Sequence, residues 1–123
     1  MKVLCVDDEP DILEILDLTL KMAFPEVEVS KAKDGNTALA QFEHESPDLL
    51  IVDLGLPGMD GYEVIRRVRL HSDVPIMILS VRDQEKDIVK GQQVGADAYM
   101  TKPFGHLELQ ARIRMLLRKA GTN

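Results

Sequence analysis

The sequence predicts an α/β fold in which five parallel strands are covered by helices on both faces. Short apolar runs recur along the chain, each followed by room for one helix and two turns, and they begin at Val3, Val27, Leu49, Pro75 and Ala98. Most of these runs are apolar throughout, as expected for parallel strands that are buried on both sides. A βα unit repeated five times accounts for this pattern.

The first two units differ in the predicted burial of their strands. The run at residues 3–6 is continuously apolar, whereas the run at residues 27–29 alternates, which indicates a strand near an edge of the sheet. The helix between them has apolar residues at helical spacing. These are Leu13, Leu16, Leu20 and Ala23. The second helix is predicted to begin at Gly35 and Asn36.

The last three helices are predicted to follow turn residues. The third begins at Asp60-Gly61 and the fifth at Gly105. The apolar positions of the fifth helix are Leu109, Ile113, Leu116 and Ala120. The fourth helix, within residues 83–95, has few apolar residues and is interrupted by Gly91, at a cost of about 1 kcal/mol relative to Ala. We therefore expect the fourth helix to be held loosely.

Length and composition predict one ordinary domain. The chain has 123 residues, of which 45% are hydrophobic and 29% charged. We expect this domain to cover residues 1–120, with residues 121–123 as the start of a linker or tail. A net charge of -6 argues against nucleic-acid binding by the domain itself. The absence of a long apolar stretch or signal-peptide profile predicts a cytoplasmic protein that does not bind membranes.

Polar and charged residues lie at the ends of four predicted strands. Asp7 and Asp8 follow the first strand, Asp53 follows the third, Ser80 ends the fourth and Lys102 follows the fifth. The carboxyl ends of parallel strands form one rim, where open α/β sheets bind ligands. Each residue alone could be a helix cap, a turn residue or a solvated charge. Their coincidence at one rim favours a functional site.

Three carboxylates at one rim call for a cation. Two carboxylates about 4 Å apart repel by about 4 kcal/mol at an effective dielectric constant near 20, so the cluster of Asp7, Asp8 and Asp53 is unfavourable without a proton or a metal. Hard oxygen ligands favour Mg²⁺. Asp53 would then stay ionised and could attack a phosphoryl group whose charge the metal and Lys102 offset. The product would be an aspartyl phosphate.

Five motifs resemble those of the receiver domains of two-component response regulators, the CheY-like domains. They are VDDEP at 6–10, DLGLPGMDG at 53–61, LS at 79–80, GAD at 95–97 and KPF at 102–104. The match covers essentially the whole chain and preserves order and spacing. The resemblance implies a doubly wound, flavodoxin-like sheet with strand order 2-1-3-4-5. It also implies transfer of a phosphoryl group to Asp53 from a phosphohistidine of a sensor histidine kinase.

The resemblance further implies a metal site and a switch. Mg²⁺ would be held by Asp8, Asp53 and the backbone carbonyl of Gly55, with Asp7 binding through water. Ser80 would donate a hydrogen bond to the phosphoryl group, Lys102 would pair with it, and the Lys102–Pro103 bond would be cis. Tyr99 matches the switch aromatic that turns inward when Ser80 moves toward the phosphate. Receivers catalyse their own phosphorylation and dephosphorylation without being turnover enzymes of the usual kind.

The C-terminal run at residues 102–114 is similar to receivers of the OmpR/PhoB winged-helix class, and residues 53–57 and 109–112 resemble the KdpE branch in particular. That similarity implies control of transcription through a DNA-binding domain absent from this chain. Receivers of this class form phosphorylation-dependent homodimers through charge pairs on the face of the fourth helix, fifth strand and fifth helix. The matching residues are Asp97, Glu108, Arg112 and Arg118. Ile88 and Ala98 replace two expected charges, so we expect a weak dimer.

Three other functions could involve the same residues. A flavin-binding protein would need a phosphate-cradling loop after the first strand, where Asp7-Asp8-Glu9 would repel the phosphate. A dehalogenase-type phosphatase would need a second acid in the segment where Leu54-Gly55 follows Asp53. A receiver that acts without phosphorylation stays open, because Val81 stands where Ala or Gly is usual and adds bulk beside Ser80.

Overall fold

The protein, described here by a computed structural model covering residues 1–121, is a five-stranded parallel sheet between two layers of helices. The strand order is β2-β1-β3-β4-β5, so the predicted doubly wound topology is confirmed. The strands are β1 (Lys2–Val6), β2 (Glu28–Ala32), β3 (Leu49–Val52), β4 (Ile76–Ser80) and β5 (Ala98–Thr101). Of the predicted tail, residues 122–123 lie outside the described residues.

A helix follows each strand, and the first four helices return the chain to the start of the next strand, as a parallel sheet requires. The helices are α1 (Pro10–Ala23), α2 (Gly35–Glu45), α3 (Gly61–Arg69), α4 (Glu85–Val94) and α5 (His106–Lys119). Asp34 and Asp60 cap α2 and α3 through their carboxylates. Among residues 1–121, no helix is both long enough and apolar enough to cross a membrane.

Alternate residues of the sheet form two separate cores. Val3 and Cys5 of β1 point into the core beneath α1 and α5. Leu4 and Val6 point into the core beneath α2 and α3. Because the inner strands are buried on both faces, β3 and β4 consist entirely of buried residues, whereas β2 is only partly buried. β2 lies at one edge of the sheet, as its alternating sequence predicts.

One detail of the helices differs from the sequence-based expectation, and a second has a structural explanation. Ala120 is exposed and caps the end of α5, and Leu117 takes the buried position in its place. Gly91 is buried, and a Cβ atom there would lie 2.8 Å from Cδ1 of Ile78 and 3.3 Å from the Tyr99 ring. Gly91 therefore allows α4 to approach the sheet closely. This close packing explains why a glycine stands here although it weakens the helix.

Arg69, the last residue of α3, ties this helix to the two loops that precede β4 and β5. Its guanidinium donates hydrogen bonds to the carbonyl oxygens of Gly95, Ser72 and Val74 and to the carboxylate of Asp97. The Arg69 side chain is only 19% exposed. If it were replaced, water could reach these acceptors only in part, and they would be left without a donor. Arg66, one turn earlier, pairs with Glu63 on the surface.

We expect Arg69→Gln to lower the free energy of unfolding by about 2 to 3 kcal/mol, because several carbonyl oxygens lose a charged donor. The matched variant Arg66→Gln should cost less than about 1 kcal/mol, since it breaks only an exposed ion pair. Urea denaturation followed by circular dichroism measures both. Equal losses for the two variants would contradict a special role for Arg69.

Candidate functional site

Three carboxylates meet at the carboxyl ends of β1 and β3. These strands are neighbours in register, with Val6 opposite Val52, so the residues that follow them are brought side by side. One carboxylate oxygen from each of Asp7, Asp8 and Asp53 lies within 4.8 Å of the others. Asp7 and Asp53 are buried and Asp8 is exposed. The predicted acid cluster therefore forms, with one open side.

Lys102 enters the cluster from the other half of the sheet. The ladder between β4 and β5 continues into the hydrogen bond from the N–H of Lys102 to the carbonyl of Ser80 at 2.9 Å. The Lys102 Nζ atom lies 2.6 Å from Oδ2 of Asp7 and 3.6 Å from Oδ2 of Asp53. Its side chain is only 7% exposed. The ammonium is thus shared between the two buried carboxylates.

Burial and charge act against each other in this pair. Burial raises the pKa of Asp7 above its usual value, and the hydrogen bond from Lys102 offsets only part of that rise. For Lys102, burial lowers the pKa, but the bond to Asp7 and the charge of Asp53 more than compensate and raise it overall. The ammonium therefore stays charged and is the main local compensation for the acids.

The loop after β3 fixes the orientation of Asp53. The backbone N–H of Asp53 donates to the carbonyl of Val6 at 2.9 Å, and its Oδ1 accepts the N–H of Leu54 at 2.8 Å. The loop closes with a hydrogen bond of 2.9 Å from the N–H of Gly61 to the carbonyl of Leu54. Oδ1 is held by the backbone, and Oδ2 faces the Lys102 ammonium.

Ser80 and Tyr99 meet at the loop that joins β4 to α4. The Ser80 hydroxyl accepts the N–H of Arg82 at 3.2 Å, and the Tyr99 hydroxyl donates to the carbonyl of Arg82 at 2.6 Å. The Tyr99 ring lies against Gly91 of α4, which is an inward position. Burial raises the pKa of Tyr99 to about 12, so its hydroxyl stays a donor at neutral pH.

Comparison with known proteins decides the family. Residues 3–114 match the family model described as the response regulator receiver domain. The chain is 47% identical over 122 residues to the transcriptional regulatory protein TrcR of Mycobacterium tuberculosis, covering 98% of this chain but 46% of that protein. The chain belongs to the response regulator receiver family. The flavin-binding and phosphatase alternatives are therefore wrong.

Solved structures agree with this assignment. A response regulator from Chloroflexus aurantiacus superposes on this receiver with a TM-score of 0.89 at 38% identity, covering 95% of this chain and 97% of that one. The beryllofluoride-activated receiver domain of RstA from Klebsiella pneumoniae gives a TM-score of 0.90 at 29% identity, covering 96% and 99% respectively. The chain spans slightly less than half the length of TrcR.

Some residues around the site were not singled out from the sequence. Glu9, expected only to add negative charge after the first strand, places its Oε1 atom 3.7 Å from the Lys102 ammonium. Arg82 pairs with Asp60 at 3.3 Å, across the loops that follow β3 and β4. No sequence pattern predicted that contact, because it depends on how the two loops turn.

Val81 is 69% exposed, so it does not fill the interior of the receiver.

The four residues expected at a dimer face are largely engaged within the chain. Asp97 accepts hydrogen bonds from Arg69 and from the backbone N–H of Ile76. Arg112 lies 3.6 Å from the carboxylate of Glu108 on the same face of α5. Arg118 is exposed near the end of α5. Their part in assembly stays a prediction, and the dimer must compete with these internal contacts.

Gly61 offers a test of how closely α3 packs on the Asp53 loop. A Cβ atom at position 61 would lie 2.2 Å from the carbonyl oxygen of Asp53, which is backbone and cannot yield as a flexible side chain would. We expect Gly61→Ala to cost about 2 to 3 kcal/mol of folding free energy, as overpacking does. Urea denaturation measures this loss.

The matched control is Gly55→Ala in the same loop, because a Cβ atom there meets nothing within 4 Å. It should change stability by less than about 0.5 kcal/mol. A stable Gly61→Ala variant would show that the loop can move away from α3.

Proposed function

We propose that this receiver accepts a phosphoryl group on Asp53 from the phosphohistidine of a sensor histidine kinase and thereby switches an output. The observation that carries the proposal is the buried Asp53 carboxylate 3.6 Å from a buried ammonium, beside two further acids at one rim. A structural ion pair alone would not need three carboxylates around one lysine. Membership of the receiver family supports the same reading.

The proposed transfer is an in-line displacement at phosphorus. A carboxylate oxygen of Asp53 forms the new O–P bond while the P–N bond of the phosphohistidine breaks, and its electron pair stays on the imidazole nitrogen. Lys102 supplies a positive charge for the phosphoryl oxygens, and the Ser80 hydroxyl can donate a hydrogen bond to one of them. Asp53 becomes an acyl phosphate that water can later hydrolyse.

The donor set fits a resident Mg²⁺. Asp7, Asp8 and Asp53 supply oxygen ligands within 4.8 Å of one another, and the exposed Asp8 leaves one side open to solvent. Gly55 is exposed in the loop after β3, where its carbonyl would complete the set. The ion would supply positive charge that offsets the carboxylates and the incoming phosphoryl oxygens.

The proposed output is transcription, through a DNA-binding domain distinct from this receiver. Support comes from TrcR, which is named a transcriptional regulatory protein. This receiver covers 46% of the length of TrcR. A net charge of -6 disfavours direct contact of the receiver with nucleic acid. The receiver would act on its output through protein contacts.

Phosphorylation itself is the first test. Acetyl phosphate with Mg²⁺ should add one phosphoryl group to the chain, because the cations offset the repulsion between the donor and the acid cluster. Intact-mass spectrometry detects the product. Asp53→Asn should remain unlabelled under the same conditions. Equal labelling of this variant would show that the nucleophile is another residue.

Metal binding is tested by a change that leaves the buried pair intact. Asp8→Asn should weaken the stabilisation by Mg²⁺ by at least about tenfold in apparent affinity, because it removes both a ligand and a charge. Thermal melting over a range of Mg²⁺ concentrations measures the effect. Asp11→Asn, an exposed acid at the start of α1, is the control and should keep the wild-type response. An unchanged response in Asp8→Asn would place the metal elsewhere.

Assembly is expected to be weak. The receiver should be monomeric at micromolar concentration and dimerise only weakly with beryllofluoride and Mg²⁺, since two charge pairs are missing. Exposed pairs are worth about 0.2 to 1 kcal/mol each and a two-fold axis counts each loss twice, so the deficit is roughly one to three decades in affinity. Restoring both charges with Ile88→Lys and Ala98→Asp should recover that affinity in sedimentation velocity. A tight wild-type dimer would refute this account.

A further inference from the structure

A second tyrosine, Tyr62, starts from the loop that carries Asp53. It is the second residue of α3 and is 7% exposed. The preceding Gly61 packs directly on the backbone of Asp53 and Leu54, and the N–H of Tyr62 donates to the Asp60 carboxylate at 2.8 Å. The position of the Tyr62 ring is therefore set by the same loop that orients Asp53.

The other end of Tyr62 reaches the first turn of α4. Its hydroxyl donates to the carbonyl of Asp87 at 3.0 Å. The Lys90 ammonium lies 4.5 Å from the ring centroid, and the Arg82 guanidinium lies 5.8 Å from it. Arg82 also pairs with Asp60 at 3.3 Å. Tyr62 thus contacts both α4 and the loop that leads into it.

The helix that Tyr62 contacts has few other anchors. Gly91 is the single buried residue of α4, whereas α3 buries five residues of its nine. A single hydrogen bond to its first turn therefore contributes a larger fraction of the stability of α4 than it would in a well-buried helix. Tyr99 holds a different point, the carbonyl of Arg82 in the preceding loop.

We propose that Tyr62 is a positioning residue that couples the Asp53 loop to the first turn of α4, by a route that bypasses Ser80 and Tyr99. The proposal rests on the proposed function of Asp53 only where it concerns the phosphorylated state. In that state, a shift of the Asp53 loop reaches α4 through the Tyr62 hydroxyl as well as through the Tyr99 hydroxyl. Because Tyr62 bonds to Asp87 and Tyr99 bonds to Arg82, the position of the segment from residue 82 to residue 87 depends on both tyrosines.

Hydrogen exchange tests the coupling without metal or phosphoryl donor. Tyr62→Phe keeps the ring but removes the bond to Asp87, so the amides of Asp87 and Ile88 should exchange about five- to tenfold faster. Lys90→Gln keeps the hydroxyl bond and serves as the control, with exchange within about twofold of wild type. Amides of the central strands should be unchanged in both. An unchanged first turn, or uniform acceleration across the sheet, would overturn the proposal.

A second measurement tests the link to Asp53. Tyr62→Phe should weaken binding of beryllofluoride with Mg²⁺ by about three- to tenfold, because a smaller fraction of the chain has α4 in place. Unchanged affinity alongside faster exchange would overturn the coupling to Asp53. If wild type itself fails to bind beryllofluoride, the proposed function of Asp53 is wrong, and the exchange result alone decides whether Tyr62 positions α4.

Discussion

The structure depends on the compensation of three converging carboxylates by one buried ammonium. Parallel strand ends bring Asp7, Asp8 and Asp53 together, and their mutual repulsion would favour separation of β1 from β3 if nothing offset it. Lys102 supplies that offset from the opposite half of the sheet, 2.6 Å from Asp7. Because one positive charge cannot neutralise three negative ones, the resting site retains net negative charge. This residual charge makes the rim attractive to a divalent cation and resistant to a phosphoryl donor without one.

Repulsion among the acids also explains why backbone hydrogen bonds hold Asp53 in place. Asp53 must remain close to Asp7 despite repulsion, and it does so because its N–H belongs to the sheet ladder and its Oδ1 is held by the N–H of Leu54. Gly61 lets α3 press on this loop from behind. The rigid side of the site is thus built by β1, β3 and α3. The less buried α4 packs beside α3 and has fewer buried residues to hold it in place.

The fold and the rim residues could be predicted because both follow from one-dimensional patterns. Continuous apolar runs indicate parallel strands, and the residue after each run must lie at the carboxyl rim, so Asp7, Asp53 and Lys102 converge whatever the details of packing. The packing role of Gly91 could not be predicted, since its close approach to Ile78 exists only in three dimensions. Tyr62 and the contact between Arg82 and Asp60 were missed for the same reason. They depend on the paths of two loops, which carry no periodicity.

Charges on the α4, β5 and α5 face show how internal contacts bear on assembly. Asp97 is an acceptor for Arg69 and for the N–H of Ile76, so a partner subunit could use it only by sharing or breaking bonds that hold the start of β5. Arg112 is already near Glu108 on its own helix. Each pair across an interface would therefore replace an existing contact and add little net energy. Ile88 and Met115 offer apolar surface that could favour association, and the flexible Met115 adapts readily to a partner, but such contacts fix register poorly. We therefore expect weak self-association, both because two expected charges are absent and because other charges of this face are used within the chain.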